Sequence, residues 1–235
     1  MKDYCKQSNW YSNFKEETFP TNFVELSENE ITALANGDID TEFAVSAIKK
    51  IKPFMKLIGN RFVFADGIVA TDTERFEKKR GAVHSAKSAW EILTESDRVK
   101  AAAKNKEFDK LCVRPFRRIT KPREFRLFVH DGELKAMSQY WLIRHYRRLE
   151  GIKEHYWNAA VEFVNKISDK LPEKNIVIDI YFTSRKEILI IDLNEWENSD
   201  PRLVLDWKKQ DWNKTTGIKL IPPPLQISGD VNVSF

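Results

Sequence analysis

Two carboxylates sit where a sheet would ordinarily bury hydrocarbon. The stretch Ile176 to Trp196, IVIDIYFTSRKEILIIDLNEW, reads as two apolar strands around a short polar turn, with Asp179 in the first and Asp192 in the second. Whether the turn is Arg185-Lys186 or Ser184 through Glu187, the register places Asp179 directly opposite Asp192, with Asn194 on the same face. Ile178, Ile180, Phe182, Leu189, Ile191 and Leu193 then fall on the other face. Opposed side chains stand ~5 Å apart at Cβ, where like charges repel. Three arrangements relieve this: a cation between them, protonation of one, or screening by water on a solvated sheet face. Two carboxylates and an amide oxygen suit Mg²⁺, a hard ion that takes oxygen ligands and keeps phosphate and water as the rest.

A Mg-nucleotide site also needs fixed positive charge against the phosphates. Lys52, Lys56 and Arg126 are the candidates, each expected on or beside a strand; taken singly, each also fits a solvated surface charge. There is no GxxxxGK[ST] loop, GxGxxG, HRD or DFG, which disfavours the P-loop, dinucleotide-fold and kinase readings. FADG at Phe64 to Gly67 has Phe64 where a covalent nucleotidyl transferase needs lysine. The histidines His84, His130, His145 and His155 lack HExxH spacing.

The elements that position these residues are partly legible. NFVEL is a short strand. Ser27 and Glu30 form a capping box for a helix closed by Gly37. Val45 to Val69 is expected as strand, loop, strand, and Ser85 to about Lys104 as one helix. Asp131-Gly132 between two alternating runs is a hairpin turn. A two-residue turn there pairs His130 with Glu133, Arg126 with Met137 and Glu124 with Gln139. Phe125, Leu127, Val129, Leu134 and Ala136 then face the core, and Glu124, Arg126, Lys135 and Gln139 form a polar surface. Trp157, Ala160, Val164, Ile167 and Leu171 make one helical stripe, stopped by Pro172. The segment with Pro222, Pro223 and Pro224 is expected as an extended tail.

The 235 residues carry 39 basic and 35 acidic side chains, 42% hydrophobic and 12% aromatic residues. This is a globular composition, and the net charge of +4 does not argue for nucleic acid. Cys5 and Cys112 cannot build a disulfide framework. MKDYCKQSNWYSNF has no apolar signal core, and no window supplies the ~20 apolar residues of a membrane helix. The expectation is a cytoplasmic protein without membrane or nucleic-acid partners.

REFRLFVHDGELKAMSQYW followed by VIDIYFTSRKEILIIDLNEWENSDPRLVLDW resembles the C-terminal half of ATP-grasp proteins. The pattern is an E-F-R strand, a hairpin ending near S-Q, a D-x-Y strand and a D-x-N exit. It is similar to a compact bacterial and phage clade, and to the eukaryotic cell-division-cycle ATP-grasp proteins that help assemble a translation initiation factor. IKPFMKLIGNRF is a weaker match to the clade's N-terminal phosphate segment. The resemblance implies an α+β, ATP-grasp-like fold: two α/β lobes with largely antiparallel sheets and the nucleotide site between them, residues 1–110 forming one lobe and 111–235 the other.

It further implies ATP and Mg²⁺ as cofactors. Asp179, Asp192 and Asn194 would hold the metal. Lys52, with Lys56 second, would touch phosphate. Val113, Arg114 and Phe116, in the Val113-Arg114-Pro115-Phe116 hinge, would sit beside adenine. Arg126 would be catalytic, facing the γ-phosphate or an acyl phosphate. The expected function is a carboxylate-amine ligase working on small-molecule or peptide carboxylates and amines. The basic run Arg144 to Arg148 would receive an acidic acceptor, or be a solvated face. The alternative is an ATP-Mg-binding assembly factor for a protein partner, without ligase turnover.

Overall fold

The computed structural model describes residues 2–56, 58–205 and 207–224. The chain begins with a 3-10 turn at Asp3–Cys5 and α1 (Gln7–Trp10). It continues through β1 (Asn22–Glu25), α2 (Glu28–Asn36), α3 (Glu42–Ile51), β2 (Arg61–Ala65), α4 (Glu74–Lys79), β3 (Ala82–Val83), α5 (Ala86–Glu95), α6 (Asp97–Lys104) and β4 (Lys110–Pro115). The second half holds β5 (Glu124–His130), β6 (Glu133–Gln139), α7 (Arg147–Glu150), α8 (Lys153–Ile167), β7 (Ile176–Phe182), β8 (Ile188–Glu195) and β9 (Gly217–Lys219). Two sheets result, ordered β1-β4-β2-β3 and β8-β7-β5-β6-β9, antiparallel except for the β6–β9 pair. The expected α+β class with largely antiparallel sheets holds. Residues 225–235, counted with the second expected lobe, lie outside the described residues.

In the first sheet's lobe, the capping box at Ser27 and Glu30 forms as the sequence implies, and Gly37 closes α2 at φ 79°. The expected strand at the start of Val45–Val69 is instead α3. Thr41 caps it by accepting from the Ala44 amide, and Ala44, Ala47 and Ile51 recur at helical spacing on its buried face. The β-branched residues there obscured that period, which tertiary burial enforces. Ser85 to Lys104 is two helices rather than one. Ser96 accepts from the Val99 amide at 3.2 Å and donates to Asp72 at 2.6 Å, so it starts a new helix instead of continuing the old one. Gly81 allows a close approach: at φ 78°, a Cβ there would stand 2.5 Å from the Phe62 ring.

In the second lobe, Asp131 and Gly132 both take positive φ, 51° and 78°, as the two-residue turn demands. His130 pairs with Glu133 as expected, but a bulge follows at Lys135. Arg126 therefore opposes Ser138 rather than Met137, and Phe125 rather than Glu124 opposes Gln139. The bulge also exchanges two side chains. Met137 joins Phe125, Leu127, Val129 and Leu134 in the core under α8, while Ala136 turns to the opposite face with Phe128 and Val177. That face is covered by Val204 and Trp207, so the expected polar surface is largely buried. Ala160, Val164 and Ile167 of α8 are buried as the stripe implies; Leu171 lies beyond the helix, after a 3-10 turn at Ser168–Lys170.

Residues 3–21 strap both lobes. Trp10 and Phe14 are buried in the core of the second sheet. The Ser8 amide donates to both oxygens of Asp66 at the end of β2, at 3.2 and 3.3 Å. The Ile190 amide donates to the Glu17 carbonyl at 2.7 Å, and the Thr18 hydroxyl donates to the Ile190 carbonyl at 2.8 Å, so the segment adds to the edge of β8. Phe14 is fully buried. Phe14→Ala should lower unfolding free energy by about 3–5 kcal/mol in urea denaturation; a loss below about 1 kcal/mol would mean the strap is not part of the cooperative core.

Candidate functional site

The β7–β8 register does place Asp179 opposite Asp192. A bulge at Ile191 follows, so Ile180 pairs with Ile190. Ile190, rather than Leu189 or Ile191, joins Ile178, Ile180, Phe182 and Leu193 in the core. Next to the turn Phe182 pairs with Ile188, one residue off from the register of either expected turn; the bulge restores the expected register, so Asp179 still faces Asp192.

The row continues across the sheet: Asp192 opposes Asp179, Asp179 opposes Arg126, Arg126 opposes Ser138, and Ser138 opposes Lys219. Arg126 answers the repulsion from within the protein. Its Nε and Nη2 donate to the two oxygens of Asp179, both at 2.8 Å, in a fork-to-fork pair with 5% and 4% of the two residues exposed. Burial opposes the charge on Arg126, but Asp179's charge and hydrogen bonds outweigh it and hold the guanidinium more firmly protonated than usual. Asn194 donates its amide N–H to Asp179 Oδ2 at 3.0 Å, which leaves the Asn194 oxygen for another partner.

Asp192 keeps the unresolved charge. Burial, then the nearby Asp179, push its pKa well above the usual carboxylate range. Its one hydrogen bond among the described residues comes from the Leu193 amide to Oδ1 at 3.0 Å. Across the lobe junction, the Arg114 guanidinium lies 4.9, 4.9 and 5.1 Å from the rings of Phe19, Phe62 and Phe64. Burial lowers its pKa to about 10, against the pull of Cys112, Asp192 and Glu124. It senses both of those carboxylates but forms an ion pair with neither among the described residues, and its buried Nη1 has no hydrogen-bond partner there. An unspent guanidinium N–H near a carboxylate that resists ionisation fits a bound anion-cation pair.

Glu124 completes the charged cluster. Burial raises its pKa to about 7, opposed by the hydrogen bond that Trp141 Nε1 donates at 2.7 Å and helped by Asp179. Tyr140 lies between two cations, its ring centroid 5.4 Å from the Arg126 guanidinium and 4.2 Å from that of Arg202. Arg126 Nη1 also donates to the Asp200 carbonyl at 2.9 Å, and the Leu203 amide donates to the Ser138 hydroxyl at 3.1 Å. The stretch 196–205 is thereby fastened over the row. SDPRLVLDW has no motif that marks this role in the sequence; its signal is an arginine, Arg202, and a tryptophan, Trp207, placed beyond the last strand of the hairpin.

The other sequence candidates are scattered. Lys52 starts a 3-10 turn after α3 and Lys56 follows it; both are exposed, on helical rather than strand backbone, and neither bonds to the charged row among the described residues. Val113 is fully buried in the core around β4, with Asn22 and Val63 as its register partners. Phe116 is half-buried just past β4, its amide bonded to the Asn60 carbonyl at 3.0 Å. Arg126, expected to face phosphate, is occupied by Asp179 and Asp200.

A family model described as D123 matches residues 61–221. The structure of C-terminally truncated Cdc123 from Schizosaccharomyces pombe superposes with a TM-score of 0.75 at 20% identity, covering 93% of this chain and 96% of that one. The translation initiation factor eIF2 assembly protein of Vanderwaltozyma polyspora is 27% identical over 117 residues, 49% of this chain and 31% of that protein. The putative CDC123-like protein L884 of Acanthamoeba polyphaga mimivirus is 25% identical over 224 residues, 87% of this chain and 68% of that protein. The chain thus matches under a third of the yeast relative's length. The resemblance to the cell-division-cycle proteins and the fold class it implied both hold. The expected carbon-nitrogen ligase does not: curated relatives from three yeasts and Dictyostelium discoideum are named as assembly or cell-division-cycle proteins. Among the described residues, no helix is long and apolar enough to cross a membrane.

The ion pair makes Arg126 a structural member first. Arg126→Ala should cost about 3–5 kcal/mol in denaturant unfolding, because it leaves Asp179 buried without its cation; the double change Arg126→Met with Asp179→Leu should recover most of that. If the single variant is as stable as wild type, the pair does not hold the sheet. Glu124 gives a pH signature. Its folded pKa of about 7 exceeds the ordinary glutamate value of 4.5, so the native state holds the extra proton and stability falls as pH rises between those values. Glu124→Gln keeps an oxygen for Trp141 and removes that slope. Its melting temperature relative to wild type should climb from pH 5 to pH 8 by a few degrees, at about 2–4 °C per kcal/mol; a constant difference would refute the assignment.

Proposed function

The chain belongs to the D123 family, and from that premise we propose that it is a nucleotide-binding assembly factor, holding Mg-ATP at the junction of its two sheets and engaging a protein partner. The observation that supports the nucleotide half is that Arg114, a buried guanidinium with an unspent N–H, lies within electrostatic reach of Asp192, a carboxylate whose ionisation burial and Asp179 oppose. The partner half rests on the relatives named for eIF2 assembly.

In this reading Asp192 and the Asn194 oxygen would hold Mg²⁺, with Asp179 behind them. When bound, the ion would neutralise phosphate charge. Arg126 keeps Asp179 in place and ionically satisfied, so the load falls on Asp192 alone. Arg114 supplies fixed positive charge to the phosphates from the first sheet. Phe19, Phe62 and Phe64 around it exclude water and strengthen every charge interaction there.

Calorimetric titration with Mg-ATP should give a saturable isotherm, and Asp192→Asn should weaken it by about tenfold or more, roughly 1.4 kcal/mol. The same variant should melt at or above the wild-type temperature without nucleotide, since it removes a carboxyl group whose ionisation burial and Asp179 oppose. In a parallel arm, immobilised protein should retain purified eIF2 subunits more with Mg-ATP than without. An absent isotherm removes the nucleotide reading; retention of no subunit in either condition removes eIF2 as the partner.

A further inference from the structure

The charge of this protein is concentrated in one place that the nucleotide reading does not use. Residues 117–123 and 140–149 hold Arg117, Arg118, Lys121, Arg123, Arg144, Arg147 and Arg148 and no Asp or Glu. Removing these seven from the 39 basic residues leaves 32 against 35 acidic ones, so the rest of the chain is net negative. None of the six arginines forms an ion pair with a carboxylate among the described residues.

The two segments meet around a cavity of about 530 Å³, with Arg123, Arg144, Arg147 and Arg148 on its walls and Tyr146 and Tyr156 among them. Gln139 gives it a fixed frame. Its side-chain N–H groups donate to the carbonyls of Trp141 at 2.6 Å and Arg144 at 3.2 Å, and its oxygen accepts from the Ile221 amide at 3.3 Å. His145 Nδ1 meets the Ile221 carbonyl at 2.8 Å, so the tail strand clamps the loop from the other side. The loop is thus built rather than loose.

Aliphatic exposure accompanies the charge. Trp141, Leu142, Ile143 and Ile152 are four of the nine large hydrophobic residues exposed among the described residues, and they border these arginines. A surface made for nucleic acid is polar and phosphate-directed, whereas arginine set among exposed aromatic and aliphatic side chains is the composition of protein-binding hot spots.

We infer that this cavity and its apolar border form a docking surface for an acidic polypeptide segment carrying aliphatic or aromatic side chains. The arginines take its carboxylates in forked hydrogen bonds, and Leu142, Ile143 and Ile152 take its apolar residues. The inference deepens the reading that the protein engages a polypeptide, and it is independent of the nucleotide half.

The test is fluorescence anisotropy of the full chain with three dye-labelled probes: a twelve-residue peptide of Asp, Glu, Leu and Phe; the same peptide with Ser in place of Leu and Phe; and a uridine RNA of equal charge. The first should bind, and binding should weaken at least tenfold in Arg144→Glu/Arg147→Glu/Arg148→Glu and severalfold in Leu142→Ser/Ile143→Ser. Circular dichroism melts of both variants should match wild type, since the changed side chains are solvent-exposed. Equal binding of the serine peptide would overturn the apolar half of the inference, tighter binding of RNA would assign the surface to nucleic acid, and no binding of the first probe would overturn it altogether. Because no probe contains nucleotide and no variant touches Asp192 or Arg114, failure here leaves the Mg-ATP isotherm intact, and failure of the isotherm leaves this result intact.

Discussion

The buried pair of Arg126 and Asp179 is the interaction on which the second sheet depends. A carboxylate in an inner strand of a sheet is tolerable only with its charge answered, and the forked guanidinium answers both oxygens. The same guanidinium uses a further donor, on Nη1, to reach the Asp200 carbonyl. One side chain therefore sets the charge state of the row and anchors the stretch that covers it. Such a pair adds little net stability against a hydrophobic substitute, because desolvating two ions offsets most of their attraction. What it provides is asymmetry: Asp179 is satisfied and Asp192, its neighbour across the strand, is not.

That asymmetry matters because of what the first sheet brings to the junction. Arg114 is held among three rings from distant parts of the chain, Phe19 on the N-terminal strap and Phe62 and Phe64 on β2. The strap is bonded to β8 at Ile190 and to the end of β2 through Asp66. The N-terminal strap, which carries no motif in the sequence, thus helps hold a cation of one sheet within electrostatic reach of Asp192 in the other. Breaking the strap would disturb the site without altering any residue in it.

Much of this geometry was legible in the sequence, and the rest failed for identifiable reasons. The opposition of Asp179 and Asp192 was legible from the hairpin's register and alternation, the Asp131-Gly132 turn from its dipeptide between alternating runs, and the first helix from the capping box at Ser27 and Glu30. Both hairpins, however, contain a one-residue bulge, at Lys135 and at Ile191. A bulge leaves no compositional mark but reverses every assignment beyond it, which is why Ala136, Met137, Leu189 and Ile191 were put on the wrong faces. The helix at Glu42–Ile51 was hidden by β-branched residues whose helical spacing burial made decisive. The partner of Arg126 was legible in neither strand, because the β5–β7 pairing brings together residues 53 positions apart and has no local signature.

The charged row and the basic surface are not isolated from each other. Trp141 borders the arginine cavity, and its indole N–H ends on Glu124, inside the charged cluster. Its backbone carbonyl is held by Gln139, which also holds the Arg144 carbonyl and the tail at Ile221. A hydrogen bond to an ionised carboxylate is about twice as strong as one to a neutral acid, and Glu124 changes charge near pH 7. The strength of the contact that orders one surface therefore depends on the charge held at the other. A charge brought near Asp179, Arg126 or Arg114 alters Glu124's ionisation through the same low-polarity interior, and Trp141 is the first residue outside the cluster to register it.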